Sequence, residues 1–171
     1  PKLYEAGIFH WLYAGDTALH LAAAGYRDAI VKSLLEAGAN PNAAANHRRS
    51  TPLHYAADGG VASAGWDPDR QVQTLGLLLN VGAEVHARDK NGATALHRAV
   101  RTRCAAAVAA LLEGGADLRL TNGGGSSAML LATWNTGHGG AGSPEAREAV
   151  ESIDHVLALI KAEQARHARS W

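Results

Sequence analysis

A four-residue motif returns along the chain and limits the folds that this sequence can adopt. It reads TALH at residues 17–20, TPLH at 51–54 and TALH at 94–97, and a weaker copy reads SAML at 127–130. The copies start 34, 43 and 33 residues apart. A period of this length indicates stacked repeats, in which each copy is one supersecondary unit that cannot bury its apolar face alone.

The residues around each copy carry signals for two helices and a turn. The threonine that opens the motif suits a helix N-cap, and Pro52 suits the first turn of the helix that follows. Spacings of three and four residues predict a second helix with one apolar face, formed by Ile30, Val31, Leu34 and Leu35. Gly38 then stands where a residue with positive φ is wanted at the helix end.

Together these turn, glycine and helix signals resemble the ankyrin-repeat family, from about residue 3 to residue 165. The resemblance implies an all-α fold, an ankyrin-repeat solenoid of helix-turn-helix pairs with β-turn or finger connections. We expect about four repeats after a degenerate N-terminal capping segment. The predicted divisions are 1–16 for this segment, 17–50 for repeat 1, 51–93 for repeat 2 with an inter-helix insert, 94–126 for repeat 3, and 127–171 for a degenerate C-terminal repeat with a Gly-rich insert and a long helix.

Charge and cysteine content exclude several classes of function. The chain has 16 basic and 16 acidic residues, so its net charge of +0 gives no general attraction for nucleic acid. Cys104 is the single cysteine, which excludes an intramolecular disulfide and fits a reducing, cytoplasmic location. The longest apolar run, from Cys104 to Leu112, is far shorter than the roughly 18 to 20 residues that span a membrane.

Three histidines in the motif raise the question of a metal site. His20, His54 and His97 occupy equivalent places in successive repeats, so we expect them roughly 8 to 10 Å apart, the spacing of packed helices. Zinc needs ligands at about 2.0 to 2.1 Å, so one ion cannot reach all three. The sequence therefore predicts no metal and a structural hydrogen-bonding role for these side chains.

Binding residues in ankyrin-repeat proteins usually lie at the finger tips and on the exposed side of the first helices. The resemblance therefore implies a noncatalytic protein-protein interaction scaffold, which binds a protein partner through its concave face and finger tips and needs no cofactor. The expected contact residues are Tyr13, His47, Arg48, Asp58, Lys90, Asn91, Arg98, Arg101 and Trp134.

The alternative function is binding of a small anionic ligand or a peptide end, with or without catalysis. The ligand would lie in a pocket between the inserts of repeats 2 and 4, with arginine side chains at its base. Its expected residues are Trp66, Arg101, Arg103, Trp134, Asn135 and His138. A competing interpretation is that the inserts pack on each other and the arginines pair with Asp58, Asp67 or Asp69. A third possible function is that of a structural part of a longer array.

The Gly-rich stretch from Gly137 to Gly142 has a helix pattern before it, whereas a dinucleotide-binding site has a strand there. The sequence therefore does not predict a dinucleotide site.

Overall fold

Seven helices follow one another in the computed structural model, which describes residues 13–58, 66–134, 155–156, 158–162 and 165–166. They are α1 (Ala18–Ala24), α2 (Asp28–Glu36), α3 (Pro52–Ala57), α4 (Pro68–Asn80), α5 (Ala95–Arg101), α6 (Ala105–Glu113) and α7 (Ala128–Trp134). Residues 155–156, 158–162 and 165–166 are also helical. Within the described ranges the sole β element is one antiparallel bridge between Thr121 and Ser127, which confirms the predicted all-α class.

The helices stack in two rows. Helices α1, α3, α5 and α7 contact one another in that order and form the first-helix row, while α2, α4 and α6 form the second-helix row. Helices α1, α3 and α5 of the first row also pack on α2, α4 and α6 of the second. This arrangement is the predicted repeat solenoid, although the residue boundaries between repeats stay a prediction.

Small side chains let the first-helix row pack closely. Alanine stands five residues after the start of every motif copy, and these alanines are between 0% and 5% exposed: Ala22, Ala56, Ala99 and Ala132. The motif leucines Leu19, Leu53 and Leu96 are each 1% exposed and fill the space beneath them. Neighbouring helix pairs therefore supply the apolar surface that one pair lacks.

Helix ends follow the sequence signals. Gly38 ends α2 with a φ of +85°, as predicted. Asp67 caps α4 by accepting hydrogen bonds from the backbone N–H groups of Asp69 at 2.9 Å and Arg70 at 3.3 Å, with Pro68 as first helical residue. The predicted helix end at Gly38 is therefore confirmed.

The prediction of the apolar face of α2 is wrong for one residue, Ile30. Val31 is fully buried and Leu34 and Leu35 are half-buried, but Ile30 is 53% exposed. Helix α2 packs on α1 and α4, and these contacts leave Ile30 exposed. Three predicted features fall wholly or partly outside the described residues: residues 1–12 of the predicted capping segment 1–16, the predicted insert around residues 59–65, and the predicted Gly-rich insert from residue 135 onward.

Candidate functional site

Each motif histidine joins the start of its own helix to the following finger, the connection that precedes the next motif. Its Nδ1 accepts a hydrogen bond from the backbone N–H of the motif threonine, at 3.0, 3.1 and 3.2 Å for His20, His54 and His97. Nε2 therefore carries the proton and donates it, at 2.9, 3.0 and 3.1 Å, to the carbonyl oxygens of Ser50, Ala93 and Ser126. The predicted structural hydrogen-bonding role is confirmed.

Burial favours the neutral form of two of these imidazoles, those of His54 and His97. Desolvation, with the nearby positive charge of Arg98, lowers the pKa of His54 to about 4. Burial also lowers the pKa of His97. Among the residues that the structure describes, no three His, Cys, Asp or Glu side chains are grouped so that they could hold a metal ion.

The fingers are folded by one recurring side-chain device. A side-chain Oδ1 five residues before the motif accepts hydrogen bonds from the backbone N–H groups two and four residues later, at Asn46, Asp89 and Asn122. Such turns satisfy the backbone locally and fix the shape of the tip. The residues at the tips are therefore held on a rigid support.

Backbone hydrogen bonds also connect each finger to the next. His47 N–H donates to the carbonyl of Ala14 at 3.2 Å, and Lys90 N–H donates to that of Arg48 at 2.8 Å. Gly123 N–H donates to the carbonyl of Asn91, again at 2.8 Å. The tips form a continuous edge beside the first-helix row.

Five predicted contact residues lie on this edge. His47, Lys90 and Asn91 are exposed, and Tyr13 and Arg48 are half-buried. The guanidinium of Arg48 lies over the ring of Tyr13, 5.4 Å from its centroid, in a cation–π arrangement. The structure thus brings these predicted residues together along one edge.

Arg98 does not belong to the exposed surface, which corrects its predicted role as a contact residue. It is 2% exposed, and its Nη1 donates to Asp58 Oδ2 at 2.7 Å. Its Nη2 donates to Asp89 Oδ2 at 2.7 Å and to Ser50 Oγ at 2.6 Å. Burial alone would raise the pKa of Asp89, but the hydrogen bond and charge of Arg98 hold it below its ordinary value. Arg98 on α5 thus connects two neighbouring fingers, through Ser50 and Asp89, with the end of α3, through Asp58.

Asp58 and Arg101 lie at the ends of α3 and α5 and face each other. Arg101 Nη2 is 3.6 Å from Asp58 Oδ1, and the Arg101 side chain is 59% exposed while that of Asp58 is 13% exposed. Arg101 is therefore open to a partner, and Asp58 is accessible at its edge. Trp134 ends α7 in the equivalent place, and its side chain lies outside the described residues.

Of the residues expected to line the alternative pocket, Trp66 and Arg101 make contacts with other parts of the chain. Trp66 Nε1 donates to Gln71 Oε1 at 2.9 Å, and Trp66 packs against the core. Gln71 Oε1 also accepts from the Cys104 thiol, whose pKa burial raises. Arg101 pairs with Asp58, as the competing interpretation expects, and Arg103 is half-buried in a turn with a φ of +60°. Asn135 and His138 lie outside the described residues.

A groove elsewhere, between α2 and α4, has a volume of about 480 Å³ and is lined by residues that include Ala29, Gly76 and Leu77. None of the predicted ligand residues lines it. The structure therefore does not place the predicted pocket there.

Two residues of this site are missing from the sequence-based set, Asp89 and Ser50. A signal for them exists in the repeat pattern. Arg98 stands four residues after its motif threonine, where the other copies have Leu21, Tyr55 and Leu131. An arginine in a position otherwise held by large packing side chains needs a buried acidic partner.

The matches with known proteins agree with this geometry. Family models described as "Ankyrin repeats (3 copies)", "Ankyrin repeat" and "Ankyrin repeats (many copies)" match residues 6–65, 48–90 and 78–132. No helix in the described ranges combines the length and apolar character that a membrane span requires.

Several curated proteins are similar over part of their length. Ankyrin repeat and SOCS box protein 6 from Homo sapiens is 32% identical over 135 residues, which cover 75% of this chain and 30% of that protein. B-cell lymphoma 3 protein from Homo sapiens is 37% identical over 107 residues, which cover 60% of this chain and 21% of that protein. Protein fem-1 homolog A from Danio rerio is 38% identical over 95 residues, which cover 54% of this chain and 15% of that protein. The chain thus spans less than a third of the length of each of these relatives. With the stacked helix pairs and linked fingers, these matches show that the chain belongs to the ankyrin-repeat family.

Proposed function

We propose that this chain is a noncatalytic scaffold that binds a protein partner through its finger tips and the exposed ends of its first helices. The residues proposed to contact the partner are Tyr13, His47, Arg48, Asp58, Lys90, Asn91, Arg101 and Trp134. Arg98 supports this surface from beneath by fixing Asp58 and Asp89. The cytoplasmic location stays a prediction of the sequence.

One observation carries the proposal. The buried motif residues are nearly the same in every copy, whereas the exposed residues on the same support differ from copy to copy. Lys90 and Asn91 occupy one tip, Gly123 and Gly124 the next, and all four are exposed. A surface that mixes acidic, basic and aromatic side chains over a constant frame suits a specific protein interface.

The test is capture of a binding protein from extract of the source cells. The variant Arg48→Glu/Lys90→Glu reverses two charges at the tips and should lose the captured protein, since like charges then oppose each other across the interface. The matched control Lys32→Glu/Arg70→Glu makes the same change in net charge at side chains of α2 and α4 that are 66% and 55% exposed. It should capture the protein as the unaltered chain does, and equal loss from both variants would contradict the proposal.

The pocket alternative has a separate readout. Replacing Arg103 or Trp134 by alanine should abolish stabilisation by a small anionic ligand and leave protein capture largely intact. The pairing of Arg101 with Asp58 and of Trp66 with Gln71 weighs against this alternative. We therefore assign no catalytic residue.

A further inference from the structure

Four cations lie on two neighbouring fingers. Arg49, Arg88 and Lys90 are exposed, and Arg48 is half-buried. Among the described residues, no carboxylate lies within ion-pair distance of any of the four. The chain as a whole has a net charge of +0, so this edge is a local excess of positive charge and not part of a general one.

The described carboxylates of these two fingers and of the segment before the first motif are engaged elsewhere or lie away from the tips. Asp89 accepts from Arg98 at 2.7 Å and from two backbone N–H groups of its own turn. Asp16 accepts from the Tyr55 hydroxyl at 2.8 Å and from the Tyr13 N–H at 2.8 Å. Glu84 lies at the other end of its finger, where its N–H donates to Asn42. Asp89 and Asp16 are therefore used in folding the chain, and they leave the positive charge of the tips uncompensated.

Two of the guanidinium groups are held in place before any partner arrives. Arg48 lies over the Tyr13 ring. Arg88 Nη1 donates to the carbonyl oxygens of Gly92 at 3.0 Å and Thr121 at 2.6 Å. These contacts use the ring face and two carbonyls, so both groups keep their full charge and further N–H donors. Holding them in advance lowers the conformational entropy lost on binding.

The four cations also lie near one another along the edge formed by the finger tips. The backbone bond of 2.8 Å from Lys90 N–H to the Arg48 carbonyl brings the tips of the two fingers side by side. Arg88 connects the second of these fingers to Thr121 in the next. Carboxylates spaced along one extended strand could therefore contact all four cations in turn.

We infer that the finger tips bind an acidic, extended segment of a protein partner, whose carboxylates contact Arg48, Arg49, Arg88 and Lys90. This inference rests on the proposed function and specifies the chemistry of the partner. Nucleic acid fits the edge less well, because single strands are usually bound by aromatic rings on which bases stack. Tyr13 is the one Tyr, Trp or Phe ring of the described fingers, and Arg48 covers it.

The inference is tested with a fluorescein-labelled peptide of alternating glutamate and alanine, measured by anisotropy against the full chain. A peptide of about 12 residues extends roughly 40 Å, enough to pass three neighbouring fingers. We expect binding at low salt that weakens as salt is added, and little binding of a glutamine-alanine peptide of the same length. The Arg48→Glu/Lys90→Glu variant should raise the Kd about tenfold or more, because the attraction between the finger tips and the glutamates of the peptide becomes repulsion. The Lys32→Glu/Arg70→Glu control should bind as the unaltered chain does.

Three results would overturn the inference: equal binding of the glutamate and glutamine peptides, equal loss in both variants, or tighter binding of an oligothymidine of matched length. The failure of each proposal is distinguishable. A chain that captures a protein through its tips but does not bind the glutamate peptide keeps the scaffold function and loses the acidic segment. A chain whose tips bind the peptide but whose captured protein is insensitive to the tip variant loses the scaffold proposal.

Discussion

Arg98 is the shared partner of two carboxylates, Asp58 and Asp89, in the interior of the described chain. Replacing it by methionine keeps much of its volume but leaves Asp89 and Asp58 without the guanidinium. Removing one partner of a buried ion pair costs about 3 to 5 kcal/mol, so we expect a loss near the lower end of that range in the free energy of unfolding. Urea denaturation measures it.

Arg101→Met is the matched control for this change. Arg101 also contacts Asp58, but its side chain is 59% exposed, and exposed ion pairs contribute about 1 kcal/mol or less. If the two variants lost similar amounts of stability, the buried network would not have the role that its distances indicate.

His54 makes stability depend on pH. Burial lowers its pKa in the folded chain from 6.5 to about 4, so between these pH values the unfolded chain binds a proton that the folded chain does not. The free energy of unfolding should therefore fall as the pH falls through this window, by up to about 3 kcal/mol. Well above pH 6.5 the contribution is constant, because the imidazole is then neutral in both states.

Urea denaturation at pH 7 and near pH 4 measures this loss. In the variant His54→Gln the difference between the two pH values should shrink, and His97, whose pKa is also lowered, accounts for part of what is left. An unchanged difference in the variant would show that another group causes the acid sensitivity.

At the scale of residues, the roles of side chains that recur in the motif could be predicted from the sequence, but the role of Arg98, which differs between copies, was missed. Threonine and histidine recur at fixed spacing in the motif, so the capping role of the first and the structural hydrogen-bonding role of the second could be predicted. Arginine holds this position in one copy of the motif, and its charge led to the prediction that Arg98 lies on the surface. Its burial depends on Asp58 and Asp89, which are 40 and 9 residues away in sequence and meet it only when the repeats stack.

At the scale of elements, the fingers depend on close backbone approach. Gly92 has a φ of +70°, and a Cβ at this position would lie 2.8 Å from the backbone nitrogen of Gly123 in the next finger. Gly38 also has a positive φ, +85°, but a Cβ there would meet nothing within 4 Å. The two glycines therefore separate the cost of the backbone conformation from the cost of crowding.

Gly38→Ala should cost about 1 kcal/mol, the strain of a left-handed residue with a side chain. Gly92→Ala should cost clearly more, because the next finger must move and the bond from Gly123 N–H to the Asn91 carbonyl, 2.8 Å long, is disturbed. Both are measured by urea denaturation. Equal costs would mean that contact between fingers adds nothing at this turn.

Helix ends could be predicted more reliably than helix faces. The helix end at Gly38 uses local chemistry, and it was predicted correctly. The face of α2 depends on which neighbours it meets, and with α1 and α4 as its partners Val31 is buried while Ile30 is left exposed. Periodicity indicates that a helix has an apolar side but not how wide a stripe the neighbours cover.

At the scale of the whole molecule, stability is distributed along the stack because each helix pair contacts its immediate neighbours. In such arrays the free energy is approximately a sum of repeat terms and interface terms. Within the described residues, α1 has one neighbour in the first-helix row, α3, whereas α5 has two, α3 and α7. The same loss of packing should therefore have different consequences in the two helices.

Leu19→Ala and Leu96→Ala test this difference, since both leucines are 1% exposed and hold the same place in the motif. Each change removes a buried side chain and should cost about 2 to 5 kcal/mol locally. Hydrogen exchange of backbone amides measures where the chain opens. Leu19→Ala should speed exchange in α1 and α2 and leave α5 and α6 protected, because the interfaces of α5 are intact. Leu96→Ala weakens both interfaces of α5 and should speed exchange from α3 to α7. If the two variants gave the same exchange profile, the described helices would unfold as one unit, and additive coupling between neighbours would not describe this chain.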